Sequence, residues 1–235
     1  YKDMIYPQNF EQKIGFDQIR QLLKDKCLST LGEERVTDMN FSEQHEEVEE
    51  KLNQVTEFVR IIQEEDGFPD QFFFDVRPSL KRVRIEGMYL DEQELFALRR
   101  SLETIRDIVR FLHRNEDEEE NNTPYPSLKR LAGDALFPQL IGKIDGILNK
   151  YGKIKDNAST ELARIRRELA STMGNISRSL NSILRSAQSE GYVDKDVAPT
   201  MRDGRLVIPV APGLKRKIKG IVHDESASGK TVFIE

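Results

Sequence analysis

The 235-residue chain is 33% charged and 37% hydrophobic and carries a formal net charge of −5, the balance of a chain able to bury a core in water. No apolar run approaches the roughly 18 residues of a spanning helix, so no membrane partner is expected. The first ten residues lack a signal-peptide pattern, and the single cysteine has no disulfide or zinc-cluster partner, so a cytoplasmic location is expected.

Read in chain order, the pattern is mainly α with a small β element at the end. Residues 1–152 read as a helical domain, 153–191 as one long helix and 192–235 as the start of a β-rich element. Phe16, Ile19, Leu22 and Leu23 form an apolar stripe on a helix from about Phe16 to Lys26, and a second helix follows Ser29. Cys27, in the same apolar-periodic stretch, reads as a buried core thiol. Val48, Leu52, Val55, Val59 and Ile62 recur at gaps of 4, 3, 4 and 3 within a helix from Glu43 to Glu64, whose acidic face reads as solvated and whose end is marked by Gly67 and Pro69. Asp91 and Glu94 have capping-box spacing and open a helix through Leu95, Leu98, Leu102, Ile105 and Val109 to about Arg114. Residues 115–124 carry no apolar side chain and read as a disordered surface loop.

Between Ser159 and Glu190 there is no proline. Leu162, Ile165, Leu169, Met173, Ile176, Leu180, Ile183 and Ala187 are spaced 3, 4, 4, 3, 4, 3 and 4, a coiled-coil seam with one stutter near Leu169 to Met173. About 32 residues would make a rod of roughly 48 Å. After Gly191, strands are expected near Arg205 to Val210, Lys217 to His223 and Thr231 to Glu235, at the tip of the rod.

Charge is unevenly distributed. Residues 1–158 hold 23 Lys plus Arg against 32 Asp plus Glu, whereas residues 159–235 hold 13 against 9. The excess concentrates between Met201 and Gly220, where Arg202, Arg205, Lys215, Arg216, Lys217 and Lys219 face Asp203 alone. Such a cluster suits phosphate contact, and on a strand Lys215, Lys217 and Lys219 would share one face. A solvated edge strand guarded by lysines fits the same residues equally well. With no aromatic residue between the cations, backbone contact without base reading is expected. Arg164, Arg166 and Arg167 read as a solvated helix face.

Two sharper chemistries are weaker. Gly229, Lys230 and Thr231 end like a phosphate-binding P-loop, but Asp224 stands where that loop needs its first glycine, and a strand-like rather than helical segment follows. His223, Asp224 and Ser226 are triad types, yet neighbours on a strand point to opposite sides. No catalytic residue and no cofactor or metal site is expected within these residues. The three histidines, His45, His113 and His223, have no ligand spacing.

Four stretches carry a resemblance: DVRPSLKRVRIEG (75–87), DNASTELARIRRELA (156–170), RDGRLVIPV (202–210) and GIVHDESASGKTVFIE (220–235). With them the chain resembles the N-terminal part of the second bacterial MutS paralogue, the branch bearing a Smr nuclease domain. The resemblance implies a helical core domain, a lever helix and a partial clamp, cut from a parent whose ATPase, with ATP and Mg, and whose endonuclease lie elsewhere. It implies a homodimeric parent, binding to branched DNA or to ribosomal RNA, and roles in recombination suppression and rescue of stalled ribosomes. The clamp cations named above would hold phosphate. The seam of Leu162 to Ala187 is expected to pack on the core or on a second copy. A coiled-coil interaction module without nucleic-acid binding is the alternative.

Overall fold

The computed structural model describes residues 9–114 and 123–235. The surface loop expected at 115–124 lies almost wholly outside the described residues. The chain divides into two compact units, Tyr1–Lys155 and Asp156–Glu235. The expected fold class is the one observed: mainly helical, with a small antiparallel sheet.

In the first unit, α1 (Phe10–Ile14), α2 (Phe16–Lys24) and α3 (Thr30–Thr37) contribute no buried residue. Cys27 is therefore not a core thiol. It lies half-buried in the α2–α3 connection, where its Sγ bonds the Leu23 carbonyl oxygen at 3.3 Å.

On helix α4 (His45–Glu64) the acids Glu46, Glu47, Glu49 and Glu64 are exposed, as expected of a solvated face, but Glu50 and Glu57 are not part of it. Leu52, Val55 and Ile62 are 62–68% exposed, while Glu57 and Ile61 are buried. Glu50 and Glu57 are turned inward because α7 (Pro126–Ala132) brings donors to them. Glu57 accepts the backbone N–H groups of Ser127 and Leu128 at 3.0 and 2.8 Å, and Glu50 pairs with Arg130 at 2.7 Å. Unpaired amides at a helix start need acceptors, and a carboxylate there also complements the helix dipole. Ile61 joins Phe111, Leu112 and Tyr125 in a core beneath this contact.

The capping box of α6 (Glu92–Leu112) forms as its spacing predicts: Asp91 accepts the Glu94 amide at 2.8 Å, and Glu94 accepts the Asp91 amide at 3.0 Å. Ser79 of α5 (Arg77–Arg82) donates to Glu94 at 2.8 Å. Leu98 and Leu102 of α6 pack on Ile141 and Ile144 of α8 (Pro138–Ile147), and Leu148 closes the same cluster.

The second unit begins with α9 (Thr160–Ser189), 30 residues long and capped by Ser159, whose side chain accepts the Leu162 amide at 3.1 Å. Four strands follow, β1 (Thr200–Arg202), β2 (Arg205–Val210), β3 (Val222–Glu225) and β4 (Val232–Ile234), ordered β1-β2-β4-β3 and antiparallel throughout. Asp203 and Gly204, at φ 47° and 76°, make the β1–β2 turn, the backbone that two-residue hairpins require. The seam of α9 divides along its length. Leu180, Leu184 and Ala187 pack on Ile208, Val210, Ile218, Val232 and Ile234, while Ile165, Leu169 and Ile176 are 45–61% exposed.

Strand β2 lies where expected. The strand expected over Lys217 to His223 does not: Pro212–Lys217 is a 3-10 helix, and β3 starts only at Val222. Pro212 presets a helical φ at the first turn, and Leu214 and Ile218, four residues apart, both turn into the core beneath.

Candidate nucleic-acid interface

The six cations form two groups. Strand register places Arg202 and Arg205 opposite each other on β1 and β2, on the sheet face that carries Phe233. The Arg202 guanidinium lies 4.1 Å from the centre of the Phe233 ring, a cation–π contact, and 3.6 Å from the Asp224 carboxylate. Arg205 binds both Glu235 oxygens at 2.6 Å. Both arginines are thus already matched with acid within the sheet, which offsets part of the charge they present to phosphate.

The second group is Lys215, Arg216, Lys217 and Lys219. All four are exposed, and among the described residues none makes an ion pair with a carboxylate. A 3-10 helix turns about 120° per residue, so Lys215, Arg216 and Lys217 fan outward instead of sharing one strand face. Their backbone is held by Leu214 and Ile218, whose side chains are anchored in the core. The result is a fixed apolar foot with long cationic arms, suited to a charged polymer approaching from several directions. Pro212, whose ring presets a helical φ, was the sequence signal for this helix.

An aromatic neighbour was not legible in the local sequence. Tyr192, remote along the chain, lies with its ring 5.9 Å from the Lys217 ammonium. Its phenol is pushed up from the ordinary value by the hydrogen bond to Glu190.

The segment Ser226–Thr231 is the β3–β4 hairpin turn. Ser226 donates its amide to the Thr231 carbonyl at 2.8 Å, the Gly229 amide donates to the Ser226 carbonyl at 2.8 Å, and the Thr231 amide donates to Ser226 Oγ at 3.0 Å. The Ser226, Gly229 and Thr231 amides are therefore taken up inside the turn instead of facing a phosphate, and β4 follows directly. These residues do not fit ATP with Mg. Among the described residues no three His, Cys, Asp or Glu side chains gather to hold a metal. His223 Nε2 faces Asp203 at 3.7 Å rather than Ser226, so the three triad types are not brought together. Of the α9 arginines, Arg164 pairs with Glu161 and Glu168 and Arg166 with Asp156, all on exposed surface.

Known proteins share this chain's sequence across both units. Over 94% of its length the chain is 32% identical to Endonuclease MutS2 of Alkaliphilus oremlandii, 34% to that of Ruminiclostridium cellulolyticum and 33% to that of a Geobacillus species. The chain is similar to a region of the MutS2 endonucleases. It spans 27–28% of the length of these relatives, and no family model matches it. The MutS2 similarity takes in the helical unit and the α9–sheet unit as one continuous stretch. Among the described residues no helix is long and apolar enough to cross a membrane.

Proposed function

We propose that this chain is the nucleic-acid-binding core, lever and clamp region of a MutS-like ATPase and endonuclease that works in the cytoplasm as a homodimer. The single observation that carries the proposal is the group Lys215, Arg216, Lys217 and Lys219, exposed and, among the described residues, without carboxylate partners, on a turn whose Leu214 and Ile218 pack on the core. Clustered cations of this kind bind phosphate by releasing counterions and carry no sequence information. The ligand is branched DNA or ribosomal RNA, in keeping with roles in recombination suppression and rescue of stalled ribosomes, and both present the same backbone to lysine and arginine. Nucleotide and Mg chemistry is assigned to other parts of the parent. Helix α9 would transmit the nucleotide state to the sheet through the Leu180–Leu184–Ala187 contact.

Replacing Lys215, Arg216 and Lys217 together by Glu in the full-length parent should lower affinity for branched DNA or ribosomes. The slope of log affinity against log salt should fall by roughly 1 for each phosphate that is no longer neutralised. Unchanged affinity and slope for both ligands would refute the role. A second reading rests on the exposed seam of α9, where Leu169 is 61% exposed. On that reading the rod serves only protein assembly, and association would survive the charge reversals with no salt-dependent nucleic-acid binding.

A further inference from the structure

A cavity of about 410 Å³ opens in the helical unit, which carries none of the six cations of the sheet unit. Phe96, Arg99, Arg100 and Glu103 lie on one face of α6, at the spacing that aligns side chains along a helix, and they line it together with Asp145 of α8 and Lys150. Arg99 and Arg100 are neighbours with different partners. Arg99 binds Asp145 at 2.8 Å and pairs with Glu103, so the acids of the wall are taken. Arg100 has no carboxylate partner among the described residues. Its guanidinium sits 4.2 Å from the centre of the Phe72 ring and 4.5 Å from that of Phe96.

Two aromatic contacts hold a guanidinium in place and leave its in-plane N–H fork free, and that fork matches the paired oxygens of a phosphate. The holders are themselves fixed. Phe72 has φ 64°, a left-handed backbone that a bulky residue adopts only when its surroundings impose it, and the preceding Gln71 carbonyl accepts the Thr104 hydroxyl at 2.8 Å. Phe96 is pressed by the 149–155 loop: a Cβ on Gly152 would lie 2.5 Å from its ring. That loop is tied down by Lys155, whose ammonium donates to the Asp145 carbonyl at 2.6 Å, and by Glu92, which accepts the Ile154 amide at 2.9 Å. Lys150 and Lys155 add two positive charges to the rim.

We propose that this cavity is a binding site for a tetrahedral phosphate group, gripped by the free N–H fork of Arg100 with Lys150 as a second cation. The site is preorganised, cationic beyond its internal ion pairs, and within the size range of small-ligand pockets. The phosphate could come from a free nucleotide or from the phosphorylated end of an oligonucleotide, and the two sources share this chemistry.

The test is calorimetric titration of the 235-residue chain with inorganic phosphate, with a mononucleotide and with a 5′-phosphorylated single-stranded oligonucleotide, at constant ionic strength set by chloride. Saturable binding of inorganic phosphate is expected. Arg100→Gln should weaken it about tenfold or more, the scale of losing charge-assisted hydrogen bonds, and Lys150→Gln about three- to tenfold. Lys26→Gln, at an exposed lysine of the same unit that does not line the cavity, should leave it unchanged. If Arg100→Gln unfolds by circular dichroism, Lys150→Gln, an exposed substitution, decides alone. Absence of saturable phosphate binding, or affinity untouched by Lys150→Gln, overturns the proposal. Tighter binding of the mononucleotide identifies a free nucleotide as the source, and a preference for the 5′-phosphorylated oligonucleotide over its unphosphorylated form that Lys150→Gln weakens identifies a strand end.

Discussion

Replacing Glu57 by Ala tests whether a buried carboxylate holds α4 and α7 together. Glu57 is 8% exposed and accepts two backbone amides at the first turn of α7, from Ser127 at 3.0 Å and Leu128 at 2.8 Å. A hydrogen bond to a charged group contributes about 1.5 kcal/mol at the low end, so losing two removes about 3 kcal/mol and strands two amides in a buried place. For a unit of this size that is a fall in Tm of about 6–12 °C. Glu57→Gln keeps one acceptor oxygen but turns an amide group toward the other N–H, so about half the loss is expected. Urea denaturation followed by circular dichroism gives the energy, and hydrogen exchange at the Ser127 and Leu128 amides gives the location. A loss for Glu57→Ala below about 1 kcal/mol, or unchanged exchange at those two amides, would refute the reasoning.

Leu184→Ala, in the core between α9 and the sheet, should cost about 2–5 kcal/mol, whereas Leu169→Ala, on the exposed stretch of the same seam, should stay within about 0.5 kcal/mol. Equal losses in denaturation would mean that the seam is covered in solution. Gly220→Ala would place a Cβ 2.4 Å from the Ile234 side chain and 2.5 Å from the Glu235 carbonyl oxygen. It should destabilise the sheet unit by about 1–3 kcal/mol, and a wild-type thermal midpoint would show that the strand ends are free to part. Acid should weaken the helical unit. Glu65 is held below the ordinary carboxylate value by hydrogen bonds from Arg114 and Tyr125, and Glu94 by the Asp91 amide, Ser79 and Arg82. A depressed carboxylate stabilises fully above its unfolded value of 4.5 and loses that contribution as pH falls through the lower folded value. The urea midpoint should thus drop below about pH 4.5, less steeply in Glu94→Gln, and parallel curves would contradict the capping role.

Elements whose cause is local were legible. The Asp91–Glu94 box is closed by residues three apart, and β2 falls on the Arg205 to Val210 run because alternation and flanking breaks act over a few residues. The burial of Glu57 was not legible, because it is satisfied by amides 70 and 71 residues further along the chain. Exposed Leu52 and Ile62 look like core positions in any periodicity count, and only the donors of α7 decide which face turns in. The basic segment misled in a similar way: alternating lysines resemble a strand, Leu214 and Ile218 would share the other face of that strand, and only Pro212 at the first turn signals the 3-10 helix. The cavity around Arg100 was missed since Phe72, α6 and Lys150 meet only once the chain is folded.

By itself, the sequence determined the helical class, the long α9, the sheet after it and which residues are cationic, since these follow from periodicity, caps and composition. Only the tertiary structure decided which cations are free. Arg202 and Arg205 are consumed by Asp224 and Glu235 across the sheet, and Arg99 by Asp145. Lys215 to Lys219 and Arg100 keep their charge for a partner, because the availability of a charge depends on which acids the fold brings within a few ångströms.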